Sequence, residues 1–359
     1  MLGLVVTIIL VLLILVFVYL DTSIIKLNIF KNIKNKYLRF LMSLIPFALL
    51  ILLFGFINSI VILFHLCIFE LIVSFILSLI KKKYKKLDIN FYKIIIASSI
   101  TIIYLGIGAY LDFHIFETKY EIETTKDIGK RLRIIQISDS HIGTTFGYKG
   151  FSNFIDKISK IDCDLVVITG DYVDDSTSLI DMQESTKSLS KLKPKYGIYF
   201  VNGNHDKGYY NNREFSINDL YHEFEKVNVT VLEDEVKEIN DKIYLIGRKD
   251  KSVTTRMSIS DLTKNLDKSK YIIDLNHQPN DFENEKNAGV DLVLSGHTHG
   301  GQLIPLGLIG TISKANDSEY GLTRKGNTNY IVTSGISNWA LYFKTGTKSE
   351  YVIIDIVNK

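Results

Sequence analysis

Two histidines, His297 and His299, flank a single threonine in the stretch SGHTHGGQ, residues 295–302. A segment this rich in glycine is a poor helix former, so the two imidazoles are expected on a turn. Because a packed core favours side chains without polar nitrogens, and imidazole nitrogens are common metal ligands, the pair indicates a metal site. The other ligands must then come from elsewhere in the chain.

Further polar side chains stand where short apolar runs end, as in RLRIIQISDSHIG, DLVVITGDYVDD, GIYFVNGNHD, YIIDLNHQP and VDLVLSGHTHG. Such runs are typical of buried strands, and the segments 151–161 and 179–192 between them have a helical pattern. The sequence therefore predicts a layered α/β domain. Ligands in such domains gather at the carboxyl ends of the strands. The polar residues at these ends are Asp139, His141, Asp171, Asn204, His205, His277, His297 and His299.

Each of these residues by itself has an ordinary structural explanation, such as capping a helix or shaping a turn. Eight of them at strand ends favour a shared site instead. In order along the chain, the blocks D-x-H at 139–141, G-D-x-x-D at 170–174, G-N-H-D at 203–206, the lone His277 and G-H-x-H at 296–299 resemble the motifs of the calcineurin-like metallophosphoesterase superfamily. The resemblance covers residues 130–359, and the stretches DLVLSGHTHGGQLIP and TSGISNW look like its membrane-anchored, YkuE-like bacterial subgroup.

The resemblance implies an α/β/β/α sandwich of two mixed sheets and a centre of two divalent ions, Mn, Fe or Zn. Asp171 would bridge the two ions. The remaining ligands would be Asp139, His141 and His299 on the first ion and Asn204, His277 and His297 on the second. In the family, the histidine at the position of His205 serves the leaving group, and Asp174 would orient it. The implied activity is phosphoester hydrolysis by a metal-bridged hydroxide, on a phosphodiester, a phosphomonoester or a lipid-linked pyrophosphate.

Three further residues are expected near the mouth of the substrate site. Trp339 and Lys344 lie in SNWALYFKTG, after the subgroup-like block, and Arg248 lies in IGRKD. Ordinary packing or a solvated surface position is an equally good interpretation of each.

The first 112 residues differ in composition from the rest, with 11 Lys and Arg against 4 Asp and Glu, compared with 31 against 35 in residues 113–359. Long apolar runs predict a bundle of four transmembrane helices at about 1–20, 39–57, 60–80 and 94–111, with a tight reversal near 55–59. A cleaved secretory signal is the alternative for the first run, but it has no basic n-region. We predict a transmembrane region over 1–112, a linker over 113–130 and the phosphoesterase domain over 131–359.

Basic residues set the predicted orientation of this multi-pass anchor. The stretches KLNIFKNIKNKYLR and KKKYKK separate spans one and two and spans three and four. Both loops should be cytoplasmic by the positive-inside rule, which places the catalytic domain on the extracytoplasmic side of the cell membrane. Glu70, within a span, either bonds to a neighbouring helix or serves a function of its own.

Charge also limits the partners. The part after residue 112 has a net charge of about −4 and no basic stripe, so a nucleic-acid partner is not expected. The adjacent bilayer favours a lipid or cell-envelope phosphoester. The alternative function is a membrane receptor or scaffold with a degenerate phosphoesterase fold, but degenerate enzymes lose ligands and here all seven are present. A further alternative gives the helices their own task, such as moving a lipid.

Overall fold

The computed structural model describes residues 2–81, 89–209, 213–304, 307 and 315–359. The chain divides into two compact units, residues 1–107 and residues 108–359. Most of the predicted basic loop KKKYKK lies outside the described residues.

The first unit is helical because its sequence is almost continuously apolar. Its helices are α1 (Leu2–Ile25), α2 (Asn28–Lys31), α3 (Lys36–Ser43), α4 (Ile45–Lys81) and α5 (Ile89–Phe113), the last of which continues into the second unit. By length and composition, the helical runs 36–80 and 90–113 could each cross a membrane, and 10–25 forms a shorter apolar helix. On this criterion two helices are clear candidates, and the arrangement of four spans stays a prediction.

Helix α4 is interrupted at Gly55, whose φ of 74° and ψ of 170° are not helical. Glycine adopts such angles without steric cost because it has no Cβ. Phe47 and Cys67, on opposite sides of this break, belong to one apolar cluster with Leu20. In a straight helix they would be about 30 Å apart. The chain therefore reverses direction at Gly55.

Glu70 bonds to a neighbouring helix. Its carboxylate lies 2.8 Å from the ammonium of Lys93 on α5, and both side chains are buried. Lys93 also donates to the hydroxyl of Ser23 on α1, at 3.0 Å. This pair joins three helices of the unit.

The second unit contains two six-stranded sheets. The strands are β1 (Phe116–Thr124), β2 (Arg131–Ile137), β3 (Leu165–Thr169), β4 (Ile198–Val201), β5 (Val229–Val231), β6 (Glu235–Asn240), β7 (Ile243–Gly247), β8 (Tyr271–Leu275), β9 (Leu292–Ser295), β10 (Gly321–Lys325), β11 (Thr328–Val332) and β12 (Glu350–Asn358). The helices are α6 (Tyr148–Ile158), α7 (Leu179–Ser188), α8 (Ile217–Lys226), α9 (Ile259–Thr263) and α10 (Phe282–Asn287). Strand order is β1-β12-β2-β3-β4-β5 in one sheet and β10-β11-β9-β8-β7-β6 in the other.

Both sheets are mixed. Strands β2 to β5 are parallel, as are β7, β8, β9 and β11, while β12, β10 and β6 pair antiparallel with a neighbour. Apolar side chains of both sheets form one buried cluster, which includes Ile134 and Val167 from the first and Leu245 and Ile273 from the second. Separate clusters join α6, α7 and α8 to the first sheet and α9 and α10 to the second. The prediction of an α/β domain with two mixed sheets is confirmed.

The predicted linker over 113–130 is wrong for most of its length. Strand β1 occupies Phe116–Thr124 and pairs in parallel with β12, from Phe116 opposite Glu350 to Thr124 opposite Asn358. The alternation of Phe116, Thr118, Tyr120 and Ile122 with charged residues is itself typical of a strand. The partner is more than 230 residues away in sequence, so the local pattern does not show which strand this segment joins.

Candidate metal centre

The polar residues that follow the strands come together from both sheets. Asp139 and His141 follow β2, Asp171 and Asp174 follow β3, and Asn204 and His205 follow β4. The second sheet contributes His277 after β8 and His297 and His299 after β9. Since the parallel strands of each sheet end at the same edge, these loops meet there, as the sequence pattern predicts.

Three groups of side chains have possible ligand atoms within 4.8 Å of one another. The first is Asp139, His141 and His299, the second is Asp171, His277 and His297, and the third is His141, Asp174 and His205. The first two contain six of the seven predicted ligands, and their membership matches the two ligand sets that the sequence predicts. The seventh, Asn204, directly precedes His205 on the loop after β4.

Asp171 joins the first two groups. Its Oδ2 lies 3.6 Å from Nε2 of His141 and 3.2 Å from Nε2 of His277. Its Oδ1 accepts the main-chain N–H of His205 at 2.8 Å. One carboxylate therefore reaches both groups, which is what a bridging ligand must do.

Hydrogen bonds fix which histidine nitrogens are available for a metal. Nδ1 of His277 donates to the carbonyl of Thr169 at 2.7 Å, and Nδ1 of His141 lies 3.0 Å from Oδ2 of Asp174. These bonds leave Nε2 of both rings buried without a hydrogen-bond partner, and Oδ1 of Asn204 is in the same state. Buried polar atoms normally have partners, so this set of imidazole and oxygen donors fits a bound cation.

The electrostatics of the site agree with this assignment. Burial alone would raise the pKa of Asp171, but His277 and His141 outweigh it and hold this pKa below its usual range. Burial, together with the charge of His277, lowers the pKa of His297 to about 4, so its imidazole is neutral and able to bind a metal. Burial by itself would lower the pKa of His277. The neighbouring Asp171 carboxylate outweighs burial, and the pKa of His277 is raised to about 10. Metal binding at His277 would therefore release a proton.

The backbone of the site is strained. Across the described part of the chain, nine residues other than glycine have a positive φ, and five of them belong to the predicted ligands. These five are Asp139, His141, Asp171, His297 and His299, with φ between 35° and 72°. Each such residue costs roughly 1–3 kcal/mol, and strain of this kind clusters at functional sites.

The motif glycines allow the close approach of loops and ligands. A Cβ at Gly203 would overlap the carboxylate of Asp171, and a Cβ at Gly296 would overlap that of Asp139. Asp206 accepts main-chain N–H groups of Asp171, Tyr172 and Gly203 at 2.7–2.8 Å. Asp206 is buried and is not among the predicted site residues, although its place in the G-N-H-D block is a signal.

Asp174 contacts two histidines, not one. Besides its Oδ2 contact with His141, its Oδ1 lies 3.5 Å from Nδ1 of His205. The same carboxylate can therefore orient a metal ligand and the histidine predicted to serve the leaving group.

A cavity of about 630 Å³ opens beside His205. It is lined by Gly143, Thr144, Asp174, Asp175, Ser176, His205, Tyr209, Trp339, Ala340 and Tyr342. The ring of Trp339 lies 5.5 Å from that of His205. Trp339 therefore lines the cavity beside His205, and its contact with a substrate stays a prediction.

The prediction that Arg248 and Lys344 contact the substrate is wrong, because both side chains are buried. Arg248 pairs with Asp281 at 2.7 Å and Glu285 at 3.5 Å, and its side chain is 3% exposed. Lys344 is fully buried, and its ammonium donates to the carbonyls of Ser334 and Ser337 at 2.8 Å each. Both cations are bonded inside the protein, a position that their local sequences do not reveal.

Comparison with known proteins agrees with this geometry. A model of the calcineurin-like phosphoesterase family matches residues 132–301. The chain is 30% identical over 263 residues to an uncharacterized metallophosphoesterase of Aquifex aeolicus, covering 71% of this chain and 97% of that protein. The chain belongs to the calcineurin-like metallophosphoesterases.

Other metallophosphoesterases are longer than the matched region. An uncharacterized metallophosphoesterase of Helicobacter pylori is 31% identical over 238 residues, which cover 65% of this chain and 61% of that protein. A transmembrane protein with metallophosphoesterase domain from Danio rerio is 26% identical over 280 residues, which cover 74% of this chain and 62% of that protein. The chain thus spans about three fifths of these two relatives. Its membership of the YkuE-like subgroup remains a prediction.

Proposed function

We propose that this metallophosphoesterase is a membrane-anchored, metal-dependent phosphoester hydrolase. The observation that carries the proposal is the Asp171 carboxylate, which reaches two groups of donors whose buried Nε2 atoms have no other partner. The residues that would hold two divalent ions are Asp139, His141, Asp171, Asn204, His277, His297 and His299. Ions bound there would lower the pKa of a water molecule and neutralise charge on the phosphoryl group.

His205 is suited to protonate the leaving alcohol. Burial would lower its pKa, but the contact with Asp174 and the charge of Asp171 outweigh burial and raise it. A raised pKa favours the protonated imidazole, which is the form that a general acid needs. It also lines the cavity, so a leaving group bound there lies beside a proton donor.

The proposed activity is tested with purified full-length chain, stripped of metal and then supplied with Mn or Zn. We expect hydrolysis of 4-nitrophenyl phosphate or bis(4-nitrophenyl) phosphate only after metal is added. Folded protein that binds two ions per chain and hydrolyses neither ester, nor any lipid or cell-envelope phosphoester, would contradict the proposal and favour the receptor or scaffold alternative.

The membrane anchor is proposed to contain four spans. The reversal at Gly55 supports this count, since it divides the long run 36–80 into two antiparallel segments. With both basic loops cytoplasmic, the catalytic unit lies outside the cytoplasm. A cysteine introduced at Ser176 should react with a membrane-impermeant thiol reagent in intact cells, and one at Asn32 should not. The unmodified chain, which contains Cys67 and Cys163, provides the background, and the opposite pattern of labelling would place the enzyme inside.

A further inference from the structure

The cavity beside His205 has an unusual wall of exposed aromatic side chains. Tyr209, Trp339 and Tyr342 are 58%, 46% and 40% exposed, although all three line one cavity. The rings of Tyr209 and Trp339 lie 5.1 Å and 5.5 Å from the ring of His205. Exposed apolar surface concentrated in this way marks a binding surface.

The ionisable groups in this wall include two carboxylates and one imidazole, that of His205. Two carboxylates, Asp174 and Asp175, line the cavity, and none of its described lining residues is lysine or arginine. Asp175 is held in place by the main-chain N–H of Tyr209, at 3.0 and 3.1 Å. Arg213 stacks on Phe215 and donates to the carbonyl of Asp206, and it is not among the residues that line the cavity.

We propose that this cavity receives the alcohol portion of the substrate and that this alcohol carries an ammonium group. Aromatic faces attract cations through the ring quadrupole, and they bind quaternary ammonium groups in particular. The nearby carboxylates add to that attraction. They also repel a second phosphate, which disfavours a pyrophosphate with its outer phosphate in this cavity. The substrate class is thus a phosphoester of an amino alcohol, such as choline or ethanolamine.

This inference rests on the proposed function. In the reaction, water adds to phosphorus, the bond from phosphorus to the alcohol oxygen breaks, and the departing oxygen takes a proton from His205. The ammonium group does not react. It holds the alcohol in the cavity, so that its oxygen lies beside His205.

The cavity can be probed without catalysis, because Trp339 is the only tryptophan in the chain. Emission excited at 295 nm therefore reports on this cavity alone. Metal-loaded, full-length protein in detergent is titrated with choline and with 3,3-dimethylbutanol, its uncharged analogue of the same shape, each at a free concentration fixed by dialysis. We expect choline to change the Trp339 emission and to bind about tenfold more tightly than the analogue.

Two variants test the assigned residues. Asp175→Asn keeps an acceptor for the N–H of Tyr209 but removes the charge, and Tyr342→Leu removes one aromatic face. Each should weaken choline binding severalfold and leave binding of the neutral analogue unchanged. Asp162→Asn is the matched control, because the Asp162 side chain is 93% exposed and does not line the cavity. Its choline affinity should equal that of the unmodified protein.

The outcomes separate this inference from the proposed function. Equal or tighter binding of 3,3-dimethylbutanol, or no response to choline at millimolar concentration, overturns the ammonium assignment, even if nitrophenyl esters are hydrolysed. Selective choline binding by a metal-loaded protein that hydrolyses no phosphoester supports the cavity assignment and contradicts the proposed function.

Discussion

Buried carboxylates have different neighbours in the two units of the molecule. In the helical unit, the carboxylate of Glu70 is matched by a protein cation, the ammonium of Lys93. In the catalytic unit, the carboxylates of Asp139, Asp171 and Asp174 lie among histidines, and several buried ligand atoms have no protein partner. A matched pair can be explained by stability alone. Carboxylates and imidazole nitrogens gathered within 4.8 Å of one another are the donors that a divalent cation prefers, so they indicate function.

The Arg248 cluster shows that burial and charge by themselves do not identify a functional site. Arg248 lies among Asp274, Asp281 and Glu285 and is as deeply buried as many of the metal-site residues. Its acidic neighbours, however, have a guanidinium within 4 Å. A lysine or an arginine neutralises both other buried clusters, whereas the carboxylates of the metal centre lie among histidines, which are themselves metal ligands.

The largest expected effect is that of Asp171→Asn. This change removes the carboxylate that joins the two donor groups, so we expect kcat/KM to fall on the order of 10³-fold and bound metal to decrease. Stability of the metal-free protein at neutral pH should also fall, because the histidines that hold the pKa of Asp171 below its usual range stabilise the ionised carboxylate in the folded state. Kinetics, metal analysis and urea unfolding measure these three quantities. Two ions and unchanged activity in the variant would show that Asp171 is not the bridging ligand.

In the helical unit, breaking the matched pair should affect stability and not chemistry. Lys93→Met leaves Glu70 buried without its cation, which we expect to cost about 3 kcal/mol. Unfolding of the detergent-solubilised chain by sodium dodecyl sulfate measures this loss. The double variant Glu70→Gln with Lys93→Met should recover most of it, and both variants should retain activity per folded molecule. If the double variant were no more stable than the single one, charge pairing would not be the reason for the effect.

His205→Ala should reduce the rate about 10²-fold for an alkyl phosphoester and much less for a nitrophenyl ester, which leaves without a proton. Metal content should stay at two ions per chain. His297→Ala, in contrast, should lose or weaken one ion and slow both esters alike. A loss of metal in His205→Ala, or an equal effect on both esters, would place His205 among the residues that hold the site together.

The smallest expected effect concerns Glu285 in the Arg248 cluster. Burial, reinforced by the charge of Asp274, raises the pKa of Glu285 to about 8. The folded state therefore binds this proton more tightly than the unfolded state, and stability falls as the pH rises from about 5 to about 8. Glu285→Gln, which has no proton to lose in this range, should flatten this fall in the free energy of unfolding. Glu283→Gln, on the exposed side of the same helix, should leave the pH dependence of urea unfolding unchanged.

Much of the catalytic unit was predictable from local patterns. Apolar runs that end in Asp, Asn or His locate the strands that carry the ligands, and the order of the motif blocks assigns Asp139, His141, Asp171, His277, His297 and His299 to the groups in which the structure places them. These features extend over about ten residues each, which is the range over which strand periodicity and turn residues act.

The remaining features depend on segments that are distant in sequence. The amino-acid sequence determined the apolar character of the first 112 residues, the α/β class of the rest and the types of ligand at the strand ends. Only the tertiary structure decided that β1 is an edge strand, that Lys93 neutralises Glu70, that Asp174 contacts both His141 and His205, and that Arg248 and Lys344 are buried. The physical reason is that burial and pairing depend on which surfaces meet after folding, and a side chain's type does not specify its partner.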